Sequence, residues 1–339
     1  MVMIAALAVI AGGAVGVRLA LRGSPAARTS PAHPQSRSAQ TVATTPPPSA
    51  PARGRLVIHA AGDVSLDPDY IPALRTYGYE YAWSGLGGLF QQDDLTVVNL
   101  ECPAATGGSR WPGKEFNFRC DPAALPAMHD AGVEVALQGN NHAYDYGPEA
   151  LLESRKHLLH AHIAPVGSGR DPDAATKPAF FEINGWRVAV LGFDQVLDPE
   201  PEEQARPGHP GTACGHDVDC MVEAIERAGT QADLMIVAIH WGVERDSVPE
   251  AYQVDEARRF MDAGADVIFG GHSHRLQPME IYRGRPIFYS LGNFVWPNNS
   301  AEGSTTAVAE VTVSPKGRIR GKLLPAYIES PGHPVLRTA

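Results

Sequence analysis

The sequence predicts an α/β domain, and three observations predict it. Short apolar runs of strand length alternate with helix-like segments from Arg55 onward. Candidate ligand side chains fall just past the C-terminal ends of those runs, where α/β folds build their sites. With 339 residues and 44% hydrophobic content, the chain has the means to bury a real core.

The elements follow in order. Arg55–Ala60 reads as a strand running into Ala61-Gly62-Asp63, and Leu95–Asn99 as a buried-type strand ahead of Glu101. Asp121-Pro122 opens a helix, with Asp as N-cap and Pro at the first helical position, ending near Gly132. Val133–Leu137 is a strand leading into Gly139-Asn140-Asn141-His142, and Gly147-Pro148 starts the next helix. Along it Leu151, Leu152, Leu158, Leu159 and His162 follow a helical period, with His157 and His160 off the stripe. Trp186–Gly192 and Leu234–Ile239 are apolar strands, the second ending at His240. Pro249–Ala263 reads as a helix with Tyr252, Phe260 and Met261 inward, and Asp266–Phe269 as a strand ahead of Gly270-Gly271-His272. Ile287–Ser290 is a further strand. Thr306–Val313 and Arg318–Leu324 flank a Pro315-Lys316-Gly317 turn as an antiparallel hairpin.

Three segments follow from composition. Residues 1–22 are apolar, with no charge before Arg18, and suit either a signal peptide or a membrane anchor. The bases that follow argue by themselves for a cytoplasmic C-terminal side. Residues 23–53, rich in Pro, Ala, Ser and Thr, read as a disordered stalk and weigh for export. The expectation is an extracytoplasmic domain over 54–339, membrane-anchored or secreted, with the membrane as a partner through the N-terminal segment. Beyond residue 53 the chain carries 38 acids against 23 bases, a formal −15. That balance excludes nucleic acid as a partner, because such binding rests on neutralising phosphates. The four cysteines form no CxxC pair, which argues against a structural zinc site. In an exported chain Cys102 with Cys120, and Cys214 with Cys220, are candidate disulfides; free buried thiols are the alternative.

Asp63, Glu101, Asn141 with His142, His240, and His272 with His274 form the chemical constellation. Carboxylates, an amide and imidazoles suit one or two divalent transition metals, and two metals can share a bridging carboxylate. Each residue also has an ordinary reading: Asp63 as a turn cap, Glu101 in a salt bridge, His240 as a hydrogen-bonded core histidine. Asp145 either orients His142 or caps the following helix. Phe118-Arg119 either brings a cation to an anionic substrate or is a plain strand.

The successive spellings GDVSL (62–66), NLECP (99–103), GNNHAYDYG (139–147), HWGVE (240–244), GGHSHRLQP (270–278) and YSLGNF (289–294) resemble the motifs of the CapA family. That family makes capsule and poly-glutamate polymers and sits within the calcineurin-like metallophosphoesterases. The resemblance implies a sandwich of two mixed β-sheets flanked by helices. It implies one or two divalent ions (Mn, Zn or Fe), with Asp63, Glu101 and His274 at the first metal. Glu101, Asn141, His240 and His272 would hold the second, with Glu101 bridging. His142 would be the general acid, or would stabilise charge on the reacting group. Ser65 stands where the wider group has a histidine, and Glu101 where it has aspartate, so an ordinary phosphatase activity does not carry over. The implied function is synthesis, transport or anchoring of a capsule or cell-wall polymer of poly-γ-glutamate or poly-glutamine type. Its implied partners are that anionic polymer or its synthase and export subunits. Two other readings stand beside it: a metal-dependent hydrolase of phosphate esters or amide links, and a non-catalytic assembly factor.

Overall fold

A computed structural model describes residues 52–337 of the chain. The expected signal or anchor over 1–22 and almost all of the 23–53 stalk lie outside the described residues. Among the described residues no helix is long and apolar enough to cross a membrane.

Two mixed sheets face each other. The first runs, in spatial order, His333–Leu336, Ile319–Ser330, Thr305–Val313, Leu56–Val64, Leu95–Leu100, Val135–Leu137 and Ala164–Val166, with Asn293–Val295 also pairing Leu56–Val64. The second runs Met279–Tyr282, Arg285–Phe288, Val267–Gly271, Leu234–His240, Trp186–Asp194 and Ala179–Ile183. The two inner faces meet in one apolar layer that includes Ile58, Val97, Val190, Ile236 and Val311. Strands covered on both faces need near-continuous apolar sequence, which Leu95–Leu100 and Leu234–His240 supply. A second layer seats Leu74, Trp83, Leu125 and Met128 from the flanking helices against the outside of the first sheet. A third packs Met221, Ile225, Phe260 and Met261 against the outside of the second. This is the helix-flanked sandwich that the family resemblance implied.

The strands that carry the site run parallel to one another. Leu56–Val64 pairs Leu95–Leu100 with Asp63 opposite Asn99, and Leu95–Leu100 pairs Val135–Leu137. In the other sheet Asp194 stands opposite His240, and His240 opposite Gly271. Parallel pairing puts every C-terminal end of a sheet on one edge, so the two edges together gather the strand-end residues.

The C-terminal hairpin forms as expected, and its first strand continues the first sheet antiparallel to Leu56–Val64. Asp121 caps its helix through the Ala123 amide, with Pro122 at the first helical position. The stripe on Gly147–His160 is narrower than its apolar spelling. Ala150, Leu151, Ser154 and Leu158 are buried, whereas Leu159 is 59% exposed and His162 lies past the helix end. The face that packs includes small residues, because the helix sits close on the Ala104 segment through the Ser154 hydroxyl. Tyr252 is 40% exposed, and its hydroxyl accepts the Gly242 amide rather than filling core. Both expected cysteine pairs are joined as disulfides, with Cα separations of 5.5 Å for Cys102–Cys120 and 5.7 Å for Cys214–Cys220.

Candidate metal centre

Each strand-end residue arrives at the same place. Asp63, Glu101 and His240, all fully buried, bring one ligand atom each within 4.8 Å of one another. Glu101 Oε1 lies 3.8 Å from His240 Nε2, 3.7 Å from His274 Nε2 and 3.9 Å from His142 Nε2. Asn141 Oδ1 is 2.9 Å and His272 Nδ1 is 3.1 Å from His240 Nε2. His274 Nδ1 stands 3.1 Å from Asp63 Oδ2. All six residues expected as ligands, together with His142 and Asp145, thus form one cluster.

Local sequence makes that approach possible. A Cβ on Gly271 would sit 2.6 Å from Asp63 Oδ1, and one on Gly62 only 1.9 Å from the Gly292 carbonyl. Glycine at 271 lets the two sheet edges close, and glycine at 62 admits the backbone of the Asn293–Val295 strand beside it in the first sheet. The loop after Gly271 is strained, with His272 at φ 91° and His274 at φ 50°. Non-glycine residues hold that conformation at a cost of about 1–3 kcal/mol each, and such strain clusters at functional sites.

The electrostatics suit a cation. Among the described residues neither oxygen of Glu101 has a hydrogen-bond partner, although both are buried. Burial, followed by the Asp63 charge, pushes the Glu101 carboxyl well above its usual range. Burial and then His272 and His274 hold His240 well below the ordinary imidazole value. His272 is pushed down to about 3, again chiefly by burial. Neutral imidazoles are the protonation state that metal ligands require, and the raised Glu101 carboxyl is one that a bound cation would hold ionised. Two donors on one ion with bonds near 2.1 Å lie roughly 3–3.5 Å apart, close to the spacings seen here. The residues present therefore fit a divalent transition metal.

Beside the cluster, His142 Nδ1 is 2.7 Å from Asp145 Oδ2, which also accepts the Phe118 amide at 2.5 Å. Burial lowers the His142 pKa, and Asp145 opposes that shift. Of its two sequence readings, Asp145 takes the orienting one: Tyr146 is the helix cap residue, with no side-chain cap. The Lys114 ammonium, its side chain 3% exposed, lies 2.6 Å from Asp145 Oδ1. It also donates to the carbonyls of Asn141 and Asp198.

Sequence reasoning missed three participants. Lys114 carries no motif signal. Asn99 donates to Asp63 Oδ1 at 2.8 Å and sits 3.1 Å from His240 Nδ1. Its spacing two residues before Glu101, at strand period, was a usable signal. Trp296 places its ring 4.8 Å from that of His274. Trp241, which adjoins His240, is fully buried, with its indole N–H on the Tyr289 carbonyl. Asp67 accepts the amides of Asp69, Tyr70 and Arg119 and shapes a turn.

The chain has relatives in sequence and in fold. The model of the bacterial capsule synthesis protein PGA_cap family matches residues 57–298. The PGA biosynthesis protein CapA of Bacillus subtilis is 31% identical over 242 residues, which cover 71% of this chain and 63% of that protein. The capsule biosynthesis protein CapA of Bacillus anthracis is 27% identical over 283 residues, 81% of this chain and 68% of that one. Among solved structures, a Staphylococcus aureus protein described as a 5'-nucleotidase superposes with a TM-score of 0.50 at 16% identity, covering 80% of this chain and 54% of that one. That likeness shows a metallophosphoesterase-like fold. The family match spans well over half of the sequence, from the first sheet strand to the loop after Trp296, and the chain belongs to the bacterial capsule synthesis protein PGA_cap family.

Proposed function

We propose that this chain acts outside the cytoplasm in making, exporting or anchoring an acidic capsule or cell-wall polymer of poly-γ-glutamate or poly-glutamine type, and that it works through a divalent metal centre. The observation that carries the metal reading is Glu101, whose two buried oxygens lack a hydrogen-bond partner among the described residues and lie amid three imidazoles. Asp63, Glu101 and His274 would hold one ion, and Glu101, Asn141, His240 and His272 a second. A bound Zn, Mn or Fe ion supplies Lewis acidity towards an anionic oxygen or a carbonyl. The N-terminal segment would tether the domain to a membrane, with the polymer or its synthase as partner.

The protein's own groups do the rest. Asp145 holds the Nδ1 proton of His142, so Nε2 is the atom that takes and returns a proton in the cleft. Lys114 holds Asp145 in place. Phe118, its ring centroid 4.3 Å from that of His142, shields the imidazole from water. This assigns a metal-dependent hydrolase or transferase step on the polymer.

Elemental analysis of the purified chain tests the proposal, for wild type and His272→Ala/His274→Ala. One or two metals per chain, lost in the variant, is the expected result. Failure of the wild type to take up Zn, Mn or Fe would refute it. With metal retained, His142→Ala is expected to lose turnover of γ-linked glutamate polymer. Polymer binding without turnover in either protein would favour the assembly-factor reading instead.

A further inference from the structure

The segment between Cys102 and Cys120 is a loop closed by a disulfide, and its charge is unlike that of the domain. It holds Arg110, Lys114 and Arg119 against the single acid Glu115, in a domain with a formal −15. Lys114 is occupied by Asp145. The two arginines converge elsewhere, on one side chain. The Arg119 guanidinium carbon stands 4.5 Å from the Tyr146 ring centroid, and Arg110 Nε donates to the Tyr146 hydroxyl at 3.1 Å.

Two guanidiniums on opposite parts of one ring repel each other. Among the described residues neither forms an ion pair with a carboxylate. The nearby acids are engaged: Asp67 by three backbone amides, and Asp69 by Arg75. Glu149, in the first turn of the helix Gly147–His160, offsets the positive end of that helix. Paired arginine forks left without a counter-charge match an oxyanion group, which they bind through parallel N–H donors.

We propose that Arg110 and Arg119, held by Tyr146, form an anion subsite for a carboxylate or phosphate group of the ligand handled at the metal-ligand cluster. The proposal rests on the reading above for where the remainder of that ligand lies. The position suits an extended acidic chain. Phe118, the neighbour of Arg119, covers His142, and Tyr146 follows His142 by four residues. A polymer with an acid on every unit can place one unit in the cleft and another on the flank.

The test measures binding by the full chain in the His272→Ala/His274→Ala background, so that the metal-ligand cluster contributes little. The probes are a γ-linked glutamate hexapeptide and inorganic phosphate, each at two salt concentrations. Arg110→Gln/Arg119→Gln is expected to weaken binding at least about tenfold, since two charge-assisted hydrogen-bonded contacts are lost. It should also flatten the salt dependence. Loss with the peptide identifies a carboxylate ligand, and loss with phosphate alone identifies a phosphate ligand. No binding of either probe, or binding unchanged by the substitutions, overturns the proposal. Should the glutamine pair fail to fold, Arg110→Lys/Arg119→Lys carries the test. It keeps the charges but not the forks, and a several-fold loss is expected, with no loss counting against the subsite. Failure of the metal reading would show separately, in the metal content of the wild type.

Discussion

Lys114→Met offers a quantitative test of the charge balance beside the metal-ligand cluster. Lys114 and Asp145 are 3% and 0% exposed and 2.6 Å apart. Burial pulls the ammonium down, yet Asp145, Glu203 and Asp198 together hold it above its ordinary value. Removing one partner of a buried pair strands the other and costs about 3–5 kcal/mol. Asp145 would keep two donors, His142 Nδ1 and the Phe118 amide, so the lower end, about 3 kcal/mol, is expected. Asp145→Asn should cost about 2–3 kcal/mol, because the ammonium keeps the Asn141 and Asp198 carbonyls. The double variant should be about 2 kcal/mol more stable than the sum of the singles implies. Urea unfolding with linear extrapolation, in chelator, reads all four corners of the cycle. Additivity within about 0.5 kcal/mol would refute the pair as the element that holds His142 in place.

Three further outcomes follow from the same structure. Glu101→Gln removes the carboxyl that a bound cation would ionise, so the metal-induced rise in Tm should disappear; a rise that persists would remove Glu101 from the centre. Glu134 is pushed up to about 7, chiefly by burial, against the Thr96 amide that lowers it. Because its folded pKa is raised, its stabilising contribution is complete below about pH 4.5 and is lost as pH rises through about 7. Thermal melts across that window should fall less steeply for Glu134→Gln than for wild type, and parallel curves would contradict the assignment. Cys102→Ala/Cys120→Ala opens a loop of sequence separation 18, which chain entropy values at about 3 kcal/mol, and should release Lys114 along with it. Calorimetry with and without reductant checks the stability change.

Much of the site was legible because α/β chemistry sits at strand ends. Asp63, Glu101, Asn141, His240, His272 and His274 each follow or close an apolar run, and parallel pairing then carries them to one edge without further instruction. The sequence is less informative where direction matters more than position. Trp241 follows His240, and strand alternation turns its ring to the opposite face, against Tyr289 and Phe260. Leu159 continues an apolar spelling but has no layer to meet at the helix end, so it stays exposed. Asn99 was recoverable from its spacing to Glu101. Trp296 was not, because an aromatic in a loop carries no period that says what it touches.

Lys114 shows why the remainder was hidden. Asp145 is locally encoded, three residues from His142, but its charge has to be balanced from elsewhere in the chain. The balancing cation comes from the loop closed by Cys102 and Cys120, whose sequence has no strand or helix pattern. Nothing local marks Lys114 as different from Lys156 or Lys177, which face solvent. Only closure of the loop brings its ammonium over Asp145, the Asn141 carbonyl and the Asp198 carbonyl together. The strand ends therefore set which atoms can hold a metal. The disulfide-closed loop supplies the cation beside Asp145, and on the proposed reading it thereby positions the imidazole of His142.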